Sequence, residues 1–271
     1  MLTFSDTFIK VNTWVETLYL ASRSTKDATK FKKILELILT IGNYMNGNGK
    51  DKKPSSYGFK MSTLENLDRT KSTDKKSNLV NYLVDIVNTQ FPDIKGFESE
   101  LKSIEKASQL SLESIDNEVN QMNVKMTLVK SELENRQKNS EDMNNSGTSA
   151  LKEFYENGNG LMIKLKEDAD KSEAAFYECL EHFGEGKPTK DETPIIFFDN
   201  LNKFCESWEK AEQENIKRRK RELRLQGNKE NVIDPSVHNA TKNNMQLIAA
   251  ELKNKSRKQI NPDEIDVRFL T

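Results

Sequence analysis

Apolar side chains recur every three or four residues along most of the chain, a spacing that predicts helices. Residues 4 to 21 place Phe4, Phe8, Val11, Val15, Leu18 and Ala21 on one face. Residues 30 to 46 follow with Phe31, Ile34, Leu35, Leu37, Ile38, Leu39 and Ile41. This second helix is apolar on most sides, so it is expected to be the most buried element. The stretch Asn46-Gly47-Asn48-Gly49-Lys50-Asp51-Lys52-Lys53-Pro54 cannot continue a helix and reads as an exposed loop. Two shorter helices are expected near Met61 to Leu67 and near Lys75 to Thr89, the second stopped by Phe91-Pro92.

From Phe97 the pattern changes. Phe97, Leu101 and Ile104 start a stripe that shifts phase near Leu112 and resumes at Ile115, Val119, Met122, Met126, Val129 and Leu133. Alternating steps of four and three make a heptad seam. A second seam is read through Leu151, Phe154, Gly158, Leu161, Leu165, Ala169, Ser172, Phe176, Cys179 and Phe183. Asn157-Gly158-Asn159-Gly160 lies inside it, and two glycines cost about 2 kcal/mol against alanine, so a kink or break is expected there. A third seam runs Phe197, Leu201, Phe204, Trp208, Ala211 and Asn215, started by Thr193-Pro194 and running into Lys217-Arg218-Arg219-Lys220-Arg221. No proline lies between Pro92 and Pro188, which leaves room for long helices. The fold class expected is therefore all-α, an elongated helical domain with long coiled-coil helices. Residues 226–244 read as a polar linker and 245–271 as a basic amphipathic tail with Met245, Leu247, Ile248 and Leu252 on one face.

Composition sharpens this picture. Apolar residues make up 35% of the chain and charged residues 31%, below the roughly 45–50% apolar share of an average globular domain, so one-sided amphipathic helices fit better than a thick core. No apolar run approaches the ~18 residues of a membrane span, and Met1 to Lys10 lack a signal-peptide pattern. Two cysteines exclude a disulfide scaffold and suit a reducing, cytoplasmic setting. The net charge of −1 conceals blocks: +4 from Gly49 to Lys76, −4 from Glu98 to Glu118, −6 from Glu167 to Glu192 and +6 from Lys217 to Lys229. Such blocks suggest partner-facing surfaces, or solvated helix faces that drift in charge.

Catalytic chemistry is missing. Gly42 and Gly47 have the spacing of a phosphate-cradling loop, but Asn48 stands where lysine is needed. Cys179 and His182 lie one helical turn apart, with Cys205 as a third candidate ligand, yet both cysteines sit on or beside apolar seams and read as core. No metal, cofactor or enzymatic activity is expected. Nucleic-acid binding through Lys217 to Arg221 is disfavoured because no aromatic interleaves the run.

The informative stretch is residues 31 to 87. It holds Gly42-Asn43-Tyr44-Met45-Asn46 after an apolar helix, then Tyr57-Gly58-Phe59-Lys60-Met61, then Leu67-Asp68-Arg69-Thr70-Lys71-Ser72, and Asp74-Lys75-Lys76 leading into Leu79 to Val84. In this order and at this spacing the motifs resemble the formin homology-2 domain, the actin-assembly domain of formins. The acidic coiled-coil segment, Phe183-Gly184-Glu185 and the Phe197 to Phe204 helix resemble the family's later part, so the likeness covers about residues 1 to 225, from the end of the knob through the coiled coil to the post. The chain starts inside the knob, so the lasso, the flexible linker and the early knob are expected to be absent, in a fragment or a divergent short form. Asn81 stands where histidine is common, and Asn157 to Gly160 interrupt the family's long helix.

The resemblance implies a non-catalytic protein that nucleates actin filaments and rides the growing barbed end as a head-to-tail dimer. It places Gly42, Asn43, Tyr44, Met45 and Asn46 in the surface that receives the partner's lasso; read from the residues alone, Tyr44 and Met45 could equally be core and Asn46-Gly47 a helix cap. It matches Lys71 to an actin-contacting lysine, with Arg69, Lys75 and Lys76 beside it, where the residues alone would read as a solvated loop. The tail around Met245, Leu247, Ile248 and Leu252 is similar to the autoregulatory segment of Diaphanous-related formins, which implies an inhibitory domain and a Rho-type GTPase in a longer protein. Leu252 falls one position late and Gln246 replaces an acidic residue. The run Lys217 to Arg221 has three readings: an actin or microtubule contact, a nuclear localisation signal, or a solvated helix end. The rival from another class is a structural coiled-coil scaffold without actin activity.

Overall fold

The computed structural model describes residues 3–46, 56–72, 75–138, 146–186 and 193–227. Thr3 opens the first helix, α1 (Phe4–Asp27), through a capping box with Asp6. The chain turns at the single extended residue Ala28 and re-enters helix as α2 (Thr29–Asn46). Without room for a local cap, α2 takes one from far along the chain. The Glu100 carboxylate accepts from the amides of Lys30 and Phe31, at 2.8 and 3.4 Å, and from the Thr29 hydroxyl at 3.3 Å. These are orphan donors of a helix start.

Met61–Asn66 forms a 3-10 turn, and α3 spans Leu79–Gln90. The expected pair of short helices is corrected here. The first is a 3-10 rather than an α-helix, and the second starts four residues later than expected because Asn78 and Asn81 form a capping box. The Phe97 stripe breaks into a 3-10 turn, Phe97–Glu100, and the single-turn α4 (Ile104–Ala107), before α5 (Leu112–Lys138). Two long helices follow, α6 (Ser146–His182) and α7 (Pro194–Gly227). Among the described residues there is no strand, only an isolated bridge between Lys71 and Asn78. The fold is all-α.

Two layers share one core. In the first, α1 and α5 pack along α6. Lys10 pairs with Glu118 on α5 at 3.0 Å, and Lys26 with Glu178 on α6 at 2.8 Å. In the second, α7 gathers α3, α4 and the Met61–Asn66 turn. An aromatic cluster joins the layers. Phe97 lies 5.9 Å from Phe31 and from Phe204 and 5.1 Å from Trp208, ring centre to ring centre, and Phe31 also meets Phe183 at the end of α6.

The α5 seam is buried at Ile115, Val119, Met122, Met126 and Leu133, and the α7 seam throughout. The α6 seam needs two corrections. First, Phe154 and Leu161 are exposed, and the seam passes instead through Thr148, Leu151, Tyr155, Gly158 and Met162. Second, the helix does not break at Asn157–Gly160: it runs on from Ser146 to His182. Gly158 packs against α5: a Cβ there would stand 2.9 Å from Met126 Cε. Tertiary packing thus holds a glycine inside a helix against its own propensity. Gly160 faces open space. Gly160→Ala should therefore stabilise the fold by about 1 kcal/mol, a rise of roughly 2–4 °C in Tm. Gly158→Ala should gain less, because Met126 must move. Thermal melts of the two variants check this, and equal shifts would sink the packing argument.

Candidate functional site

The last turn of α2 carries the Gly42 to Asn46 motif. The reading that buries Tyr44 and Met45 in the core is corrected: their side chains are 47% and 53% exposed, and Asn46 is exposed too. Among the described residues beyond its own turn of helix, nothing lies within 4 Å of a Cβ built on Gly42, so no contact there demands a glycine. Asn43 behaves differently. Its amide donates to Ser56 O at 2.9 Å and accepts from Ser56 N at 2.8 Å. This reciprocal pair mimics a backbone ladder and latches the returning chain to α2. Asn43 is thus occupied by its own fold.

Beyond the latch, residues 56–60 run without helix and cross a cleft that offers about 80 Å³ of free volume. Leu35 and Leu39 of α2, Phe59, Met61 and Phe183 line it, with Tyr57, Gly58, Lys32, Glu36 and His182 around them. At the far end of this wall, Met61 N donates to the Glu185 carboxylate. Burial pushes the Glu36 carboxyl up, opposed by Lys33. Burial, with Lys32 and Lys26 nearby, pushes the His182 imidazole down, so it is neutral at pH 7. The cleft is apolar with one titratable rim, and the sequence pattern did not reveal it.

Residues 70–72 are tied by hydrogen bonds to residues 77–79 at the start of α3. Leu79 N donates to Thr70 O at 2.8 Å, and Ser72 N to Ser77 O at 2.9 Å. The Ser72 hydroxyl also donates to Ser77 O at 3.0 Å. Lys75 adopts a left-handed backbone, φ 56°. Lys71, Lys75 and Lys76 are exposed; Arg69 is exposed but pairs with Glu65 at 3.3 Å. Thr73 and Asp74 lie outside the described residues. The turn is hung on α3, whose Asn81 side chain reaches Glu214 of α7 at 3.1 Å, while Asn215 of α7 donates to Asn81 O at 2.8 Å. Asn81 thus bridges two helices. On the next face of α3, Tyr82 has its phenol pushed up by burial, with Tyr44 of the first motif beside it. So α3 connects the two candidate surfaces.

Burial pushes the Cys179 and Cys205 thiols up to about 12, which disfavours the thiolate a metal needs. Among the described residues no three His, Cys, Asp or Glu side chains are grouped to hold a metal ion. None of the described helices is long and apolar enough to cross a membrane. Met245, Leu247, Ile248 and Leu252 lie outside the described residues, as do the linker from 228 and the rest of the tail.

The sequence matches the Formin Homology 2 Domain over residues 1–209. The chain belongs to the formin homology 2 family. It is 35% identical to Formin-like protein of Drosophila melanogaster over 215 residues, 79% of this chain and 17% of the relative. It is 35% identical to Formin-like protein 2 of Homo sapiens over 222 residues, covering 82% and 19% respectively. With human Formin-like protein 3 the identity is 32% over 266 residues, 96% of this chain and 24% of that protein. The chain thus spans about a fifth of the length of these relatives. Both the Gly42 to Asn46 motif and the Lys71 turn fall inside the residues that this formin homology 2 chain shares with its family.

Proposed function

We propose that this formin homology 2 chain binds actin, helps to nucleate filaments and associates with their growing barbed ends, working by binding alone. What supports the reading is Lys71, a lysine held outward on a hydrogen-bonded turn within the family-matched residues. A cation on a preorganised turn meets an acidic protein surface without first being ordered. Such contacts are individually weak, which suits an end-binder that must let go as subunits add. Gly42, Asn43, Tyr44, Met45 and Asn46, beside the apolar cleft along the same helix, would form the surface that receives a partner subunit's lasso. The setting that follows is the cytoplasmic actin cytoskeleton. Autoregulation by an inhibitory domain and a Rho-type GTPase would belong to a longer protein.

The experiment is seeded actin elongation watched filament by filament, with this chain beside Lys71→Asp. The chain should slow or cap barbed-end growth, and the variant should need at least about tenfold more protein for the same effect, because an attractive contact becomes a repulsive one. Equal potency would remove Lys71 from the contact. No effect of either would leave the coiled-coil scaffold as the better reading.

A further inference from the structure

The basic run on α7 splits into two faces. At 3.6 residues per turn, Arg218 and Arg219 fall on the side of α7 that meets α3. Both guanidinium groups close on the Asp85 carboxylate there, Arg219 at 2.7 Å. Lys217, Lys220, Arg221 and Arg224 fall within about 100° of one another on the opposite side. All four are exposed. None of them makes an ion pair among the described residues. Asn215 is the last buried residue of α7 among those described, so these cations lie beyond the core, on a stretch of helix whose inner face is held by the Asp85 clamp.

That arrangement works against the helix when nothing is bound. Lys217 and Arg221, and Lys220 and Arg224, are like charges one turn apart, a spacing at which repulsion destabilises. The Asp85 clamp roots the helix in spite of it. Two large apolar side chains, Ile216 and Leu223, lie seven residues apart along one edge of the cationic stripe, 45% and 67% exposed. The family match ends at residue 209, so the stripe lies beyond what the matched domain shares.

We propose that this outer face of α7 docks an acidic amphipathic helix of a partner protein. Its carboxylates would lie opposite Lys217, Lys220, Arg221 and Arg224, and apolar side chains seven residues apart along one of its edges would meet Ile216 and Leu223. The order of the groups selects this partner. A bilayer is met by a helix with its apolar line central and its cations flanking; here the cations are central and the apolar pair lies to one side. A nucleic acid supplies phosphates but nothing for Ile216 and Leu223, and no aromatic stands on the stripe to stack a base.

The test is fluorescence anisotropy of the full chain with a labelled acidic helical peptide carrying leucines at heptad spacing. A peptide of the same composition in scrambled order, vesicles containing phosphatidylserine and a short DNA duplex run alongside. The patterned peptide should bind at least tenfold tighter than the scrambled one and weaken as salt rises. Replacing the stripe with glutamine (Lys217→Gln, Lys220→Gln, Arg221→Gln, Arg224→Gln) should abolish binding while leaving the melting curve in place, since all four are exposed and none makes an ion pair among the described residues. Ile216→Ser with Leu223→Ser should erase the preference for the pattern. Equal binding of both peptides, a preference for vesicles or duplex, or binding unchanged by the glutamines would each overturn the proposal.

Discussion

Phe97→Ala should remove about 3–5 kcal/mol of stability, the range for deleting a fully buried phenylalanine ring. Phe97 is completely buried and touches aromatic rings from two separate helices, Phe31 of α2 and Phe204 and Trp208 of α7. Few side chains could move in to fill the gap, because the neighbours are rigid rings already packed against one another, Phe31 on Phe204 at 6.4 Å and Phe204 on Trp208 at 5.9 Å. Each favourable aromatic pair adds roughly 0.5–1.5 kcal/mol beyond area burial. Against a typical total of about 5–15 kcal/mol, the variant should sit near its unfolding threshold at 37 °C. Urea titration followed by far-ultraviolet circular dichroism measures it. Phe97→Leu, which keeps most of the volume, should recover more than half of the loss. A loss below about 1 kcal/mol for the alanine variant would mean that the aromatic cluster does not join the two layers as described.

The long helices and most of their buried faces could be read from the sequence because heptad spacing is a local signal. The α7 seam from Phe197 to Asn215 is buried at every position read. The α6 seam was misphased in its first half for an instructive reason. Large apolar side chains at Phe154 and Leu161 drew the line through themselves, while the packed face keeps Leu151 and Gly158 and turns instead through Tyr155 and Met162. A glycine scores as a defect until its neighbour is known, and Met126 is on another helix. The same holds for the candidate site. Its motifs were visible as linked residues. The groups that fix them were not: Ser56 answers Asn43 across thirteen positions, and Asp85 answers Arg218 and Arg219 across more than 130. A side-chain amide or carboxylate carries no mark of its partner, since only the folded chain brings the two together. The apolar cleft beside α2 is a product of three segments, and no single stretch of sequence announces it.

Glu100→Ala should cost about 2–3 kcal/mol, the second largest loss expected, although Glu100 is neither in the core nor in a motif. Replacing a helix N-cap by alanine costs roughly 0.5–2 kcal/mol, and hydrogen bonds to a charged group are worth about 1.5–3 kcal/mol. Here one carboxylate supplies both. Its two oxygens take the Lys30 and Phe31 amides and the Thr29 hydroxyl, and no residue between α1 and α2 can substitute, because Ala28 alone separates them. The negative charge also faces the positive end of the α2 dipole. Glu100→Gln keeps the acceptor geometry and loses the charge, so it should recover part of the loss, and the gap between the two variants measures the electrostatic share. Amide hydrogen exchange localises the effect: Lys30 and Phe31 should lose protection in Glu100→Ala first, with the α5–α6 pair unchanged. Uniform loss of protection across all helices would instead mean that the cap has no local role. Gly42 to Asn46 stand at the far end of α2, about four turns away, with Ile34, Leu37, Ile38 and Ile41 buried between, so their amides should keep their protection in Glu100→Ala.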